Sequence, residues 1–259
     1  MSIREITSSP VSSGEGSPNS SERPAGAQVA YLLFHYTVFD LERTLKVFND
    51  PACKVSAHYV VSLEGDVHET VPETRAAWHA GLSSWGGQES LNGQSIGIEI
   101  INDGYRERDD QDPGQVVQGD DREWYSYTEA QVEALERLSK EIINRHGIRP
   151  ENVVGHSDVA PLRKLDPGPL FPWQELARRG VGRWYDLRKT DSSNHIPAIG
   201  SGEERAWAAE KLEMVGYALP NEEAFGQVVR AFHMHFRPTN ICEELNEESL
   251  SILAALTQK

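Results

Sequence analysis

Basic residues are scarce in this chain. Its 259 residues carry 25 Lys and Arg against 40 Asp and Glu, a formal net charge of −15. A nucleic-acid interface needs a basic face, and anionic lipid attracts the same sign, so neither is an expected partner. Cysteine is scarcer still. Cys53 and Cys242 stand far apart and make neither a disulfide framework nor a Cys-x-x-Cys metal pair. Long apolar runs are missing as well. No stretch approaches the ~20 apolar residues of a membrane-spanning helix, so no transmembrane segment is expected. The opening stretch, MSIREITSSPVSSGEGSPNSSERP, has no apolar core of the kind a secretory leader uses, so no Sec signal is expected in the sequence as it stands.

An apolar share of 38% is nevertheless enough to build a real core. Residues 1–27 are rich in Ser, Pro, Gly and Glu and read as a disordered arm. From Gln28 on, strand and helix patterns alternate. Gln28 to Tyr36 is a β-rich apolar run; Asp40 can cap a helix through Asn49; VSAHYVVSL and Val67 to Val71 flank a Glu64-Gly65-Asp66 turn. Ala76 to Gly93 has no period and reads as an aromatic-containing loop, and Ser95 to Ile101 is a short apolar strand. Asp103 to Glu123 carries eight acids against three Arg and reads as a solvated insertion. Thr128 with Gln131 makes a capping box for a helix that ends at Gly147. The expected fold class is α/β, a central mixed β-sheet flanked by helices over residues 28–188. A linker over 189–202 and a small three-helix domain over 203–259 follow it, and the helical domain is near the lower size for independent folding.

The chemistry concentrates in GHSDVAPLRKLDPGP, Gly155 to Pro169, which follows the apolar pair Val153-Val154. Its prolines stiffen the loop, because each ring fixes φ near −65°. His156 and Asp166 on such a loop suit two ligands of one metal ion, and His35, ending the run YLLFH, supplies a third. A lone His at a strand end is more often a structural residue. Two imidazoles and one carboxylate together leave a fourth position open on zinc, the arrangement of a catalytic site. Glu99 alternates with the isoleucines of SIGIEII and shares a face with Gly97. It is either an edge salt bridge or a general base. Lys164 is either a solvated lysine or a cation for a developing oxyanion. His58 and His79 suit wall or orienting roles. Trp78, Trp85 and Asn92 suit sugar and peptide contacts, or loop anchoring. Asp158 reads as a turn carboxylate supporting the ligands, and His68, His195, His233 and His235 as non-catalytic.

Five blocks in order, FHYT, SAHY, AWHAG, NGQSIGIEI and VVGHSDVAPLRKLDPGP, resemble the zinc-dependent N-acetylmuramoyl-L-alanine amidases of family 2 (the AmpD/AmiD type), whose fold is shared with peptidoglycan recognition proteins. The resemblance runs over roughly residues 28–180. AFGQVVRAFHMHFRP resembles the small helical domain that follows the catalytic domain in AmiD-like enzymes and is similar to peptidoglycan-binding domains. The resemblance implies Zn2+ held by His35, His156 and Asp166, Glu99 as base and Lys164 as the stabilising cation. Substrate contacts are expected at His58, Trp78, His79 and Asn92. The bond cut would join N-acetylmuramic acid, or its 1,6-anhydro form, to L-Ala of the stem peptide, with peptidoglycan or muropeptides as partner. One branch of the family has Tyr before the SAHY-type His; here that position is Ala57. A binding-only wall protein and a zinc peptidase acting within the stem peptide are the rival readings. The cell wall as substrate favours a periplasmic or outer-membrane location, with cytoplasmic recycling and secreted effector roles open, and the oligomeric state is open between monomer and dimer.

Overall fold

The computed structural model describes residues 7–8, 16–107, 115–189 and 195–258. In chain order the strands are β1 (Thr7–Ser8), β2 (Ser20–Glu22), β3 (Tyr31–Tyr36), β4 (Tyr59–Val61), β5 (Val67–Glu69), β6 (Arg75–Ala77), β7 (Ser84–Trp85), β8 (Gln88–Glu89), β9 (Ser95–Ile100), β10 (Tyr105–Glu107), β11 (Gln115–Val116), β12 (Arg122–Trp124) and β13 (Val153–Gly155). The helices are α1 (Leu41–Asn49), α2 (Glu129–His146), α3 (His156–Val159), α4 (Trp173–Arg178), α5 (Glu204–Val215), α6 (Phe225–Phe236) and α7 (Glu247–Leu256).

One six-stranded sheet runs in the order β1-β5-β4-β9-β3-β13. It is mixed: β4, β9, β3 and β13 are parallel neighbours, while β5 runs antiparallel to β4. Strand alternation divides the two faces. Leu32 and Phe34 of β3 and Ile96, Ile98 and Ile100 of β9 pack with Leu135, Leu138 and Ile142 of α2 and with Phe171 and Trp173. The opposite face carries Tyr31, Leu33 and His35 on β3 beside Ser95, Gly97 and Glu99 on β9, in register pair by pair. The apolar half of that face is covered by Trp85, Leu91 and the helical segment, whose Leu212, Val228, Phe232 and Leu253 belong to the same cluster as Tyr31 and Leu33. The polar half is the candidate site.

Helix α2 has the expected ends. Thr128 Oγ1 accepts the Gln131 N–H at 3.1 Å, Gln131 Oε1 accepts the Thr128 N–H at 3.0 Å, and Gly147 takes φ +68°.

Two stretches differ from the sequence reading. Residues 16–27 are tied down: β2 pairs antiparallel with β6, and Asn19 is buried, donating to carbonyls of Phe48, Asp50 and Val55. Arg23 donates to the carbonyls of Glu73, Gly93 and Ser95. The arm thus gains its order from backbone acceptors in the core, which composition does not reveal. The rest of it, apart from Thr7 and Ser8, lies outside the described residues, as does 190–194 of the expected linker.

The acidic stretch 103–123, expected as a solvated insertion, forms a three-stranded sheet, β10-β12-β11. Val117 and Trp124 are buried in the cluster shared with the helices, and Gln118 bridges to Asn240. Residues 108–114 lie outside the described residues.

Candidate active site

Register brings the first pieces together. β3 and β9 are parallel neighbours, and His35 stands opposite Glu99. β13 lies on the other side of β3, and the chain turns from Gly155 directly into α3, whose first residue is His156. The stiff loop then returns, with the Ser157 N–H donating to the Asp166 carbonyl at 2.8 Å, which sets the Asp166 side chain beside both imidazoles. His35 Nδ1, His156 Nδ1 and Asp166 Oδ2 converge: the nitrogens are 2.9 Å apart, and each is 3.0 Å from the oxygen. All three residues are buried. Among the described residues this is the group of His, Cys, Asp and Glu able to hold a metal ion.

The surroundings decide which nitrogens carry protons. Ser95 Oγ donates to the Leu91 carbonyl at 2.7 Å, so its lone pair receives His79 Nε2–H at 3.0 Å. His79 Nδ1 is then an acceptor and takes His35 Nε2–H at 3.0 Å. His156 Nε2–H donates to the Ala80 carbonyl at 3.1 Å. Both Nδ1 atoms are left bare, and with Asp166 they make three electron-pair donors in contact with no proton between them. A cation satisfies that arrangement, and outer hydrogen bonds of this kind are how proteins orient metal-binding imidazoles. The residues therefore fit a metal.

Electrostatics agree. Burial first, then His156, pushes His35 down to about 4, with Asp166 opposing, so the ring is neutral and available as a donor at neutral pH. Burial would raise the Asp166 carboxyl, but His156 and His35 outweigh it and hold it well below the usual carboxylate range. Burial, then the neighbouring Asp166, pushes Glu99 well above that range, with Lys164 opposing. Glu99 Oε2 is 4.0 Å from His35 Nδ1. A carboxyl with a raised affinity for protons beside a metal-binding group is suited to general acid–base work.

These side chains open into a cavity of about 590 Å3, lined also by Lys164, Arg163, Tyr36 and Tyr105. Glu99 and Lys164 thus share the cavity with the three donors, and His79 stands at its wall in an orienting position. Three other residues expected to touch substrate lie outside this cavity's lining. His58 is fully buried, its Nδ1 accepting the Gly97 N–H at 3.0 Å and its Nε2 facing the Arg75 carbonyl and Arg23. Asn92 Oδ1 accepts the N–H groups of His79 and Ala80 and so anchors the loop. Trp78 is half-buried, donates Nε1–H to Ser21 Oγ at 3.3 Å, and is not in the cavity lining. Trp85 is also an anchor: it is buried, with Nε1–H on the Glu151 carbonyl and its ring at an edge angle to Tyr217.

The sequence reading missed four contributors. Ser95 sets the proton order, and its signal was there, two positions before Gly97 on the same face as Glu99. Gly97 is needed for space, since a Cβ would come within 2.5 Å of the His79 ring. Arg163 donates to the Ala80 and Leu82 carbonyls, bracing the loop that receives His156. Tyr105 comes from the insertion and had no local signal.

A parallel-strand α/β frame presenting two buried imidazoles, a carboxylate and a buried glutamate around one cleft fits a metal-dependent hydrolase. A family model described as N-acetylmuramoyl-L-alanine amidase (Amidase_2) matches residues 25–169. The chain is 38% identical over 250 residues to the N-acetylmuramoyl-L-alanine amidase AmiD of Escherichia coli K12, covering 90% of this chain and 86% of that protein. Its fold matches the solved complex of the E. coli amidase AmiD with anhydro-N-acetylmuramic acid-L-Ala-D-gamma-Glu-L-Lys, with TM-score 0.76, 36% identity and 91% of each chain covered. It also matches AmpDh3 of Pseudomonas aeruginosa, with TM-score 0.74, 34% identity, and 99% of this chain and 98% of that one covered. The chain belongs to the family 2 N-acetylmuramoyl-L-alanine amidases.

Proposed function

We propose that this protein hydrolyses the amide bond between N-acetylmuramic acid, or its 1,6-anhydro form, and L-Ala of the peptidoglycan stem peptide, with zinc as its metal. The observation that carries the reading is the bare, converging donor set of His35, His156 and Asp166, with the Glu99 carboxyl in the same cavity, its Oε2 4.0 Å from His35 Nδ1. A partner of peptidoglycan fragments is supported by the relative solved with such a fragment. A catalytic segment over 28–188, followed by a helical segment over 203–259, is the proposed organisation. No helix among the described residues is long and apolar enough to cross a membrane.

When bound, zinc supplies Lewis acidity, polarising the scissile carbonyl and acidifying water. Glu99 takes a proton from the attacking water. The new C–O bond forms as the carbonyl oxygen gains negative charge, and Lys164, in the same cavity, offsets that charge. Glu99 then returns the proton to the amide nitrogen as the C–N bond breaks, leaving a lactyl carboxylate and a peptide with a free L-Ala amine. His79 and Ser95 keep His35 in the donor tautomer throughout.

The test is incubation of the purified protein, with and without a chelator, on whole sacculi and on soluble anhydro-muropeptides, with Glu99→Ala in parallel and products read by mass spectrometry. Metal-dependent release of peptides beginning with free L-Ala, lost in the variant, is the expected result. Binding without cleavage by zinc-loaded protein would overturn the enzyme reading in favour of a wall-binding protein. Cleavage inside the stem peptide would identify a peptidase.

A further inference from the structure

The polar groups buried between the helical segment and the sheet converge on one carboxylate. Asp158 is on α3, the short turn that begins with His156. Its side chain is fully buried and accepts three hydrogen bonds. One is local: the Gly155 N–H donates to Oδ2 at 2.7 Å. The other two come from far along the chain. Tyr217 OH donates to Oδ1 at 2.6 Å, and His235 Nδ1–H donates to Oδ2 at 2.7 Å.

Those two donors are themselves held. The His235 ring is stacked between Trp173, at 3.8 Å between centroids, and Phe236, at 3.9 Å. Tyr217 is buried and meets the Trp85 ring edge-on at 4.8 Å. Gly216, just before it, lies so close to Trp85 that a Cβ would come within 2.5 Å of the indole. Burial and then Asp158 push the Tyr217 phenol well above its ordinary range, so it stays a donor at any working pH.

Capping a four-residue helix needs only the local bond, so the long-range pair has another consequence. A buried carboxylate that loses a donor pays a full desolvation penalty and moves to find another partner. Here it would move the turn whose first residue is His156. On its other side that turn is tied to Asp166 through the Ser157 N–H.

We infer that Tyr217 and His235 of the helical segment are positioning residues for the metal site: through Asp158 they hold the turn that presents His156 to His35 and Asp166. The inference rests on the reading of those three residues as metal ligands. It gives the helical segment a part in the chemistry, beyond any contact it makes with the cell wall.

The experiment measures zinc dissociation constants of the full-length protein by chelator competition, alongside melting of the metal-free form. Tyr217→Phe removes one hydroxyl, and His235→Leu removes the second donor. Each is expected to weaken zinc binding about 10- to 100-fold, the usual cost of losing a partner that orients a ligand. His235→Asn keeps an N–H near the position of Nδ1 and is expected to bind close to the wild-type value. His233→Ala is the control, because among the described residues the His233 side chain bonds to Ser249 and the Cys242 carbonyl inside the helical segment. It is expected to lower the melting temperature and leave zinc affinity unchanged.

Wild-type affinity in Tyr217→Phe and His235→Leu would overturn the inference alone. So would an equal loss in His233→Ala, which would mean that any loosening of the helices suffices. If His235→Leu does not fold, Tyr217→Phe decides. A wild-type protein that binds no zinc would overturn the ligand reading and this inference with it.

Discussion

His79 Nδ1 lies 3.0 Å from His35 Nε2, and this contact selects the nitrogen that His35 presents to the donor cluster. The selection begins at Ser95, whose hydroxyl is committed to the Leu91 carbonyl. Ser95→Ala removes the acceptor for His79 Nε2–H, so His79 can adopt either tautomer and the proton order on His35 is no longer imposed. The expected result is zinc binding weakened about 10- to 100-fold, read by chelator competition. Gly97→Ala acts on the same chain sterically. Its new Cβ would meet the His79 ring, which costs roughly 1–3 kcal/mol as overpacking, visible in denaturant unfolding. Unchanged zinc affinity in both variants would contradict the relay.

The three bare donors also predict how the metal affects stability. A cation held by these donors would relieve their repulsion and, binding the folded protein in preference to the unfolded chain, would stabilise it. At a free zinc concentration a hundred times the dissociation constant, the stabilisation is about 2.7 kcal/mol. For a chain of this size that is roughly 5–10 °C in melting temperature. Asp166→Asn should abolish both the shift and the activity, because it removes the charged ligand and adds an N–H facing the imidazoles. A chelator that left the melting temperature and activity of the wild type untouched would be fatal to the metal reading.

The proposed role of Glu99 as base separates chemistry from binding. It shares the cavity with the donors, and its oxygen is 4.0 Å from His35 Nδ1. Glu99→Gln keeps the shape and removes the base. It is expected to lower kcat by about 10²- to 10⁴-fold while zinc affinity stays near the wild-type value. A loss of zinc affinity as large as that of Asp166→Asn would make Glu99 a ligand and not a base.

The donor triad was legible because each member sits where local pattern alone determines its place. His35 and His156 end apolar strands, Asp166 closes a proline-stiffened loop, and the period of β9 aims Glu99 at the same face. What local pattern does not encode is who fills the second coordination of each group. His58, in the SAHY block, was expected to touch substrate, yet it accepts the Gly97 N–H and faces Arg23. Asn92 and Trp85 carry good sugar-binding chemistry and are consumed by backbone anchoring. The acidic insertion hid a sheet because Val117 and Trp124 are buried in a cluster whose other members come from distant parts of the chain.

Buried neutral histidines predict acid sensitivity. Burial pushes His58 down to about 3 and His233 down to about 4, with backbone carbonyls partly opposing in each case. Both folded values lie below the unfolded value near 6.5, so the unfolded chain takes up protons first. Their stabilising contribution is complete above about pH 6.5 and is lost as pH falls towards 4 for His233 and towards 3 for His58. The slope approaches about 1.4 kcal/mol per pH unit for each group. His233→Gln should be less stable than wild type at pH 7.5, and the gap should narrow by pH 4.5. Denaturation curves measured at several pH values check this, and a gap of constant size would remove His233 from the account.

The helical segment looks separable in the sequence, but its core is not its own. Tyr31, Leu33, Trp85, Leu91, Val154 and Val159 are buried in one cluster with Leu212, Val228, Phe232 and Leu253. Polar contacts cross the same boundary: the Gly86 N–H donates to the Gly216 carbonyl at 2.8 Å, and Arg183 donates to the Val215 carbonyl at 2.9 Å. A chain ending at Lys189 would expose that apolar half-sheet and leave Asp158 with one of its three donors. Each large side chain returned to water costs about 1.5–3 kcal/mol, so a few of them exceed the 5–15 kcal/mol that holds a typical domain together. The shortened chain is expected to aggregate, or to lose near-ultraviolet circular dichroism and zinc binding together. Residues 195–259 alone are expected to be largely unfolded, since so short a segment buries too little surface without its partner. A soluble shortened chain with native dichroism and native zinc affinity would show that the two segments are independent, and would remove the structural basis for assigning Tyr217 and His235 a part in the metal site.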